Sequence, residues 1–376
     1  LSRGGIAVMS KRRDGVYKVA KRVRRFVGKA EGRRRGCVIA AVLNSIRKDF
    51  KEDDFAIVHF WVVKHAPGLP KGAKVFSLKT VNELSEKGAK FRDIYTYKKP
   101  LRRRLRFIAS LLDVPFEPQH GFHAMRGVET ALVAADQRDL WGNVPKGQSD
   151  LKSAFDQITR GSLYALLRVV FNINKELATW FSKVMTQNGH MFQGNPITPA
   201  TFNLLSIPIA QEVRDKTGYS VVQYADDLTW ITNTTSVSGS MLRWIENLVE
   251  LNGWTVNREK SARVNGKQKF YLLGAVQDAN GVWNAQRGRK IRRKAIYLLK
   301  QARAGRIWSR RIAKDGSPIA LTAVVKGLIS WLWSVRVNVG HSKYYRDDLI
   351  SLLNQVDFVE SMYEEEIRSI RIALNA

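Results

Sequence analysis

The chain has a single cysteine, Cys37, in 376 residues. One thiol cannot close an intrachain disulfide or build a cysteine zinc site, which excludes disulfide-stapled and zinc-ribbon scaffolds. The shortage fits a reducing compartment, and a cytoplasmic protein is expected. No apolar run approaches the ~18–20 residues that a spanning helix needs, so no membrane partner is expected. The basic N-terminal stretch is followed by no clean apolar segment of the kind a secretory leader carries. Acidic residues are also scarce: 33 Asp and Glu stand against 63 Lys and Arg, leaving a net charge of +30. Such an excess opposes compaction by self-repulsion, and a polyanionic partner is its natural counterweight. With no membrane expected, nucleic acid is the expected partner.

The apolar share of 44% is enough for a substantial core, and the length suggests two or three packed subdomains. Basic residues are clustered. Residues 1–36 hold 13 Lys and Arg against 2 acids, residues 97–106 hold 6 against none, and residues 285–316 hold 12 against 1. Three such stretches far apart in the chain read as walls of one phosphate-binding channel. Val16, Val19, Val23, Phe26 and Val27 form an apolar stripe at helical spacing, with a break expected near Gly36. Residues 55–63 are apolar enough for a buried strand or a buried helix, and residues 101–112 alternate at helical spacing. From 145 to about 276, strand-like pieces with polar tips alternate with helices. Beyond Asn280-Gly281, a tight turn, the chain reads as basic and helical. Cys37 is expected in the core. His120, His123 and His190 lack metal-ligand spacing and are expected as surface or template contacts, and Ser162 and Ser206 have no partner base.

The most informative segment is Val-Val-Gln-Tyr-Ala-Asp-Asp-Leu-Thr-Trp-Ile-Thr at residues 221–232. Two runs of β-formers around a polar pair predict a hairpin with Asp226 and Asp227 near its tip. Carboxylates crowded there repel each other unless a cation lies between them, which points to Mg²⁺. Upstream, Asp150 sits where a strand should hand over to a helix beginning near Thr159. In a folded sheet it can approach Asp226. Three carboxylates around two divalent ions can clamp a triphosphate and activate a primer hydroxyl. Phe155 could floor the sugar of a bound nucleotide. Gln193-Gly194 opens a proline-bearing loop that leads into a helix over Leu204–Val213.

The order of these elements resembles the palm of reverse transcriptases: Asp-x4-Phe, Gln-Gly-x-Pro-x-(Ser/Thr)-Pro-x3-Asn, Tyr-Ala-Asp-Asp, Asn-x-x-Lys and Leu-Gly. The likeness is nearest to bacterial retron-type and group II intron-type enzymes, as a stand-alone enzyme of a defence-associated kind, and covers roughly residues 84–335. It implies an α+β right-hand polymerase fold. The basic N-terminal extension would be 1–80, the fingers 81–145, the catalytic palm 146–280, and the α-helical thumb with its tail 281–376. It implies that Asp150, Asp226 and Asp227 are catalytic and hold two Mg²⁺, with Mn²⁺ able to substitute. Lys87, Arg92, Phe155, Gln193, Gly194 and Lys260 would bind nucleotide, and Phe155 would exclude a 2′-hydroxyl. Leu273 and Gly274 would belong to the primer grip, while Arg126 and Gly127 would touch template. Trp331-Leu332-Trp333 would lie on a packed thumb helix. The implied partners are an RNA template, the RNA/DNA hybrid, dNTPs and a cognate non-coding RNA. Two other readings stay open: an RNA-dependent RNA polymerase, and a basic RNA-binding protein with an inactive palm. Ala225 before the Asp pair and the bulk of Phe155 argue against the first.

Overall fold

The computed structural model describes residues 3–66, 69, 72–123, 126, 128–135, 138–139, 142–232, 236–265, 268–273, 275–277, 283–285, 288–312, 318–334 and 343–364. Contacts divide the chain into two compact units. One joins Leu1–Gly127 to Pro145–Arg263, and the other joins Val128–Val144 to Val264–Ala376. Helices and antiparallel sheets alternate in an α+β arrangement, as the sequence implies.

The first unit begins with two helices, Arg3–Val27 and Lys29–Asp49. The break between them falls at Gly28, whose φ of 83° suits glycine, and not near Gly36 as the sequence suggests. Gly36 has a packing role. A Cβ there would lie 1.7 Å from the Phe171 carbonyl oxygen, and one at Gly32 would lie 2.3 Å from that of Val170. The bare glycines let the second helix rest directly on the 166–171 backbone. Cys37, expected inside, is exposed on this helix. Ala20, Val23, Val27, Ile39, Leu43 and Ile46 are buried. All but Ala20 belong to a core shared with Leu101, Leu105, Ile108 and Leu112 of the helix Lys99–Leu112. The span 20–46 is therefore woven into this body. Arg22 fastens the first helix further. It donates to Glu212 Oε2 at 2.9 Å, Asn252 Oδ1 at 2.8 Å and the Pro208 carbonyl at 2.9 Å.

The apolar run at 55–63 becomes the strand Ile57–His65, centre of a three-stranded sheet between Lys74–Val75 and Lys90–Tyr97. A four-stranded sheet carries the site, ordered Ser220–Tyr224, Asp227–Ile231, Lys146–Asp150, Ala262–Val264. The helices Thr198–Thr217 and Gly239–Leu251 add Phe202, Ile207, Ile245 and Val249 to the core that also takes in Leu228 and Trp230 of this sheet. Asparagine, serine and threonine start several helices where capping chemistry predicts. Thr159, for example, accepts from the Ser162 N–H before Arg160–Ala165.

In the second unit, Phe270–Leu272, Ala275–Gln277 and Trp283–Ala285 form a meander. The turn at Asn280-Gly281 lies outside the described residues. Three helices, Gly288–Arg303, Leu321–Ser334 and Lys343–Met362, share a core of Ala295, Leu299, Val325, Ile329, Leu332, Leu349 and Val356. The segment beyond 281 is not wholly helical, because Trp308–Ile312 and Pro318–Ala320 pair antiparallel.

Candidate active site

Strand register assembles the acidic centre. Asp150, last residue of its strand, is the direct antiparallel partner of Asp227, which on its other side pairs with Tyr224 across the hairpin. The Leu151 N–H donates to the Asp226 carbonyl at 2.9 Å, so the chain leaving Asp150 stays against the hairpin tip. Ala225 occupies that tip with a left-handed φ of 53°. Residues 255–257 run beside Asp150: Asn257 N–H donates to the Asp150 carbonyl at 2.7 Å, and Lys152 N–H to that of Thr255 at 2.9 Å. The turn that follows, closed by Lys260 N–H to the Asn257 carbonyl at 3.0 Å, returns the lysine to the site. Its Nζ lies 3.1 Å from both carboxylate oxygens of Asp150.

The electrostatics match this crowding. Burial, then the charges of Asp226 and Asp150, push the Asp227 carboxyl up to about 6. Asp226 is raised chiefly by burial and also by Asp150, while Lys260 and Arg92 oppose the rise. Lys260 is raised in turn by its hydrogen bonds to Asp150, so its ammonium stays charged at neutral pH. A raised carboxyl pKa means the folded state binds the proton more tightly than the unfolded chain. The stabilisation is present in full below the unfolded value of ~4 and is lost as pH rises through about 6. Metal-free Asp227→Asn, neutral throughout, should therefore gain on the parent between pH 4.5 and 7.5. The gain should be on the order of 1–3 kcal/mol, with Mg²⁺ narrowing it. Urea denaturation in chelator across that range measures it, and a difference independent of pH would contradict it.

The other residues singled out in the sequence fall in several places. The Gln193-Gly194 loop docks on the strand Lys90–Tyr97, the Tyr95 N–H donating to the Gln193 carbonyl at 2.9 Å. Gly194, at φ 99°, allows that approach, since a Cβ would lie 2.3 Å from the Tyr95 carbonyl oxygen. Arg92 is on the same strand, exposed, and close enough to act on Asp226. Lys87 caps the helix Leu78–Glu86 in an exposed turn, so Lys87 and Arg92 sit on a helix end and on the strand that follows it. Phe155 is half-buried in a row of rings, its centroid 5.7 Å from Phe122 and 5.7 Å from Phe202. One Arg126 nitrogen donates to the backbone carbonyls of Phe116 and Gln119, the latter at 2.8 Å. Leu273 makes a left-handed turn at φ 50° within the second unit. Gly127 and Gly274 lie outside the described residues.

His120 and His123, expected at the surface, are each 7% exposed. Sequence reasoning also missed Gln119 and Gln223, buried polar residues that border the hairpin. A glutamine within the apolar run 221–224 was the available signal, since a polar side chain inside a buried strand needs partners.

The sequence pattern of the family described as reverse transcriptase (RNA-dependent DNA polymerase) matches residues 87–276, half of the chain, and spans all three aspartates. The chain belongs to the reverse transcriptase family. Solved structures similar to it include apo telomerase from Candida tropicalis, at 11% identity and a TM-score of 0.46 over 80% of this chain and 70% of that one. Telomerase from Candida albicans in complex with a fragment of telomeric RNA gives 11% and 0.43, over 80% and 68%. A foamy viral protease-reverse transcriptase with an RNA/DNA hybrid gives 15% and 0.34, over 71% and 32%. No curated protein matches the chain. No helix among the described residues is long and apolar enough to cross a membrane.

Enzymes of this family generally use divalent metal ions, and the donors here suit one. Asp150, Asp226 and Asp227 offer hard carboxylate oxygens, the ligands that Mg²⁺ and Mn²⁺ prefer. The Lys260 ammonium already supplies Asp150 with a positive partner. Among the described residues no three His, Cys, Asp or Glu side chains converge tightly enough to hold an ion as they stand. The carboxylates are thus an open set, adjacent through the backbone.

Proposed function

We propose that this chain is an RNA-directed DNA polymerase, extending a primer 3′-hydroxyl on an RNA template with dNTPs. The observation that carries the reading is the register that sets Asp150 opposite Asp227, with Asp226 beside it, inside the segment that matches the family. The three aspartates would hold two Mg²⁺ or Mn²⁺ ions, which supply charge neutralisation and an activated hydroxyl. The residues around them do the rest. Arg92, Lys87 and Lys260 present cationic groups to the triphosphate. Gln193 and Gly194, fixed against Tyr95, form the wall of the nucleotide pocket. Phe155 supports the sugar, Leu273 and Gly274 serve the primer, and Arg126 and Gly127 position the template. The bond from the 3′-oxygen to the α-phosphorus forms as the bond to pyrophosphate breaks. The charge of +30 meets the nucleic acid. The motif spellings favour a bacterial, stand-alone enzyme of retron-like or group II intron-like, defence-associated type; the single cysteine suits the cytoplasm, and a cognate non-coding RNA is the proposed partner.

Primer extension on poly-rA and poly-dA templates, each with dNTPs or NTPs, tests this reading. Extension with dNTPs on poly-rA is expected, and incorporation of NTPs alone would return the RNA polymerase reading. Phe155→Ala should lower the preference for dNTPs over NTPs by roughly tenfold or more, about 1.4 kcal/mol, because loss of the ring would open space for a 2′-hydroxyl. The ratio of kcat/KM values measures this. An unchanged ratio would leave Phe155 only its packing against Phe122 and Phe202.

A further inference from the structure

A buried polar cluster lies directly behind the hairpin that carries Asp226 and Asp227. Gln223, Gln119, Asn203 and Ser206 are at most 3% exposed. Gln223 Nε2 donates to the Ala225 carbonyl at 3.2 Å and to Ser206 Oγ at 2.9 Å. Its Oε1 accepts from Gln119 Nε2 at 3.2 Å, which also reaches Ser206 Oγ at 2.9 Å and the Asn203 carbonyl at 2.7 Å. Asn203 Nδ2 donates to the Gly121 carbonyl at 2.9 Å and lies 3.2 Å from His123 Nε2. The other ring nitrogen of His123 is bonded to Asp113. Nε2 also lies 3.3 Å from Gln119 Oε1, so the ring joins Asn203 to Gln119.

The backbone follows the same course. Gln223 N–H donates to the Pro118 carbonyl at 2.6 Å, and His120 N–H donates to the Gln223 carbonyl at 2.8 Å. This rail ends at Gly121, where a Cβ would lie 2.5 Å from the Ala225 nitrogen. Ala225 itself holds φ 53°, a left-handed backbone that residues other than glycine rarely adopt. A conformation of that kind persists only where its surroundings over-determine it. The peptide it orients is the one that leads into Asp226.

From this arrangement we infer that Gln223 is a positioning residue for catalysis. With Gln119, Ser206 and Asn203 it clamps the Ala225 peptide in the left-handed turn, so that Asp226 and Asp227 are held ready for the ions. The inference rests on the polymerase reading for its consequence but on packing and hydrogen bonds for its geometry. Two readouts separate the two claims: kinetics of single-nucleotide incorporation, and Mn²⁺ affinity from the electron paramagnetic resonance signal of free Mn²⁺.

Gln223→Leu should lower kcat roughly tenfold or more, leave the KM for dNTP within about threefold, and weaken Mn²⁺ binding about tenfold. Adding Ala225→Gly should recover about fivefold of both losses, because glycine takes the left-handed turn without help. A role confined to fold stability would instead lower the melting temperature and leave kcat and Mn²⁺ affinity of the folded protein at parental values. Should Gln223→Leu fail to fold, Ser206→Ala, which removes one acceptor from Gln223 at small cost in volume, should show the same pattern more weakly. A folded Gln223→Leu protein with parental kcat and Mn²⁺ affinity would overturn the inference, as would losses that Ala225→Gly does not relieve. A parent chain that extends no primer, with Mn²⁺ affinities that still follow this pattern, would overturn the polymerase reading and leave the clamp standing.

Discussion

Asp226→Asn and Asp227→Asn should each reduce nucleotide incorporation by roughly 10³-fold or more, about 4 kcal/mol of transition-state stabilisation. RNA affinity should stay within about threefold of the parent at fixed salt. The two effects separate because they use different parts of the molecule. Asp227 sits at a strand position opposite Asp150 and Asp226 in the turn beside it, where an amide keeps the shape and loses the charge a divalent ion requires. Phosphate binding would draw instead on the basic stretches 1–36, 97–106 and 285–316, which hold none of the three aspartates. The two variants should also remain folded, Asp227→Asn even gaining stability without metal, so that inactivity cannot be put down to unfolding. Rapid-quench incorporation and fluorescence binding on the same preparations measure both. Extension by the double variant within tenfold of the parent would remove these residues from the chemistry.

Removal of residues 1–36 should leave an insoluble or unfolded protein. Charge alone makes this segment look like a detachable arm for template, and a deletion would then cost only salt-dependent binding. The structure gives it a second role. Its Ala20, Val23 and Val27 are buried, Gly32 sits on the Val170 carbonyl, and Arg22 reaches Glu212, Asn252 and Pro208. Burying each valine is worth ~1.5–3 kcal/mol, and uncovering Val170 and Phe171 adds to the loss. That sum is a large part of the ~5–15 kcal/mol by which a domain is usually stable. Neutralising the outer face is the milder change. Lys21→Gln, Arg25→Gln and Arg33→Gln together, all exposed, should keep the fold. They should also shallow the log–log salt slope of RNA binding by roughly 2. Soluble yield and thermal unfolding decide the first expectation; a truncated protein that melts like the parent would refute it.

The parts legible in the sequence were those fixed by short-range pattern. Two runs of β-formers over 221–231 mark both strands of the hairpin, and the polar pair between them marks its tip. Thr159 reads as a cap because its side chain can meet an N–H three residues on. The helical spacing of Leu101, Leu105, Ile108 and Leu112 predicts the face they bury. What depends on contacts between distant residues was not legible. The apolar stripe of the first helix could be seen, but not the surface it covers. Gly36 looks like a break in sequence, and only the Phe171 carbonyl beside it explains the missing side chain. Lys260 finds Asp150 across 110 positions, and Gln223 finds Gln119 across 104. The strand pair at Trp308–Ile312 and Pro318–Ala320 was hidden because its pieces, WSRRI and PIA, are too short to show a period.

Crystals of the chain with primer, RNA template, an incoming dNTP and Mn²⁺ provide the most direct measurement, through anomalous scattering from the metal. The account predicts two peaks roughly 3.5–4 Å apart, bordered by carboxylate oxygens of Asp150, Asp226 and Asp227. Density for the nucleotide with no peak within coordination distance of these three residues would contradict it.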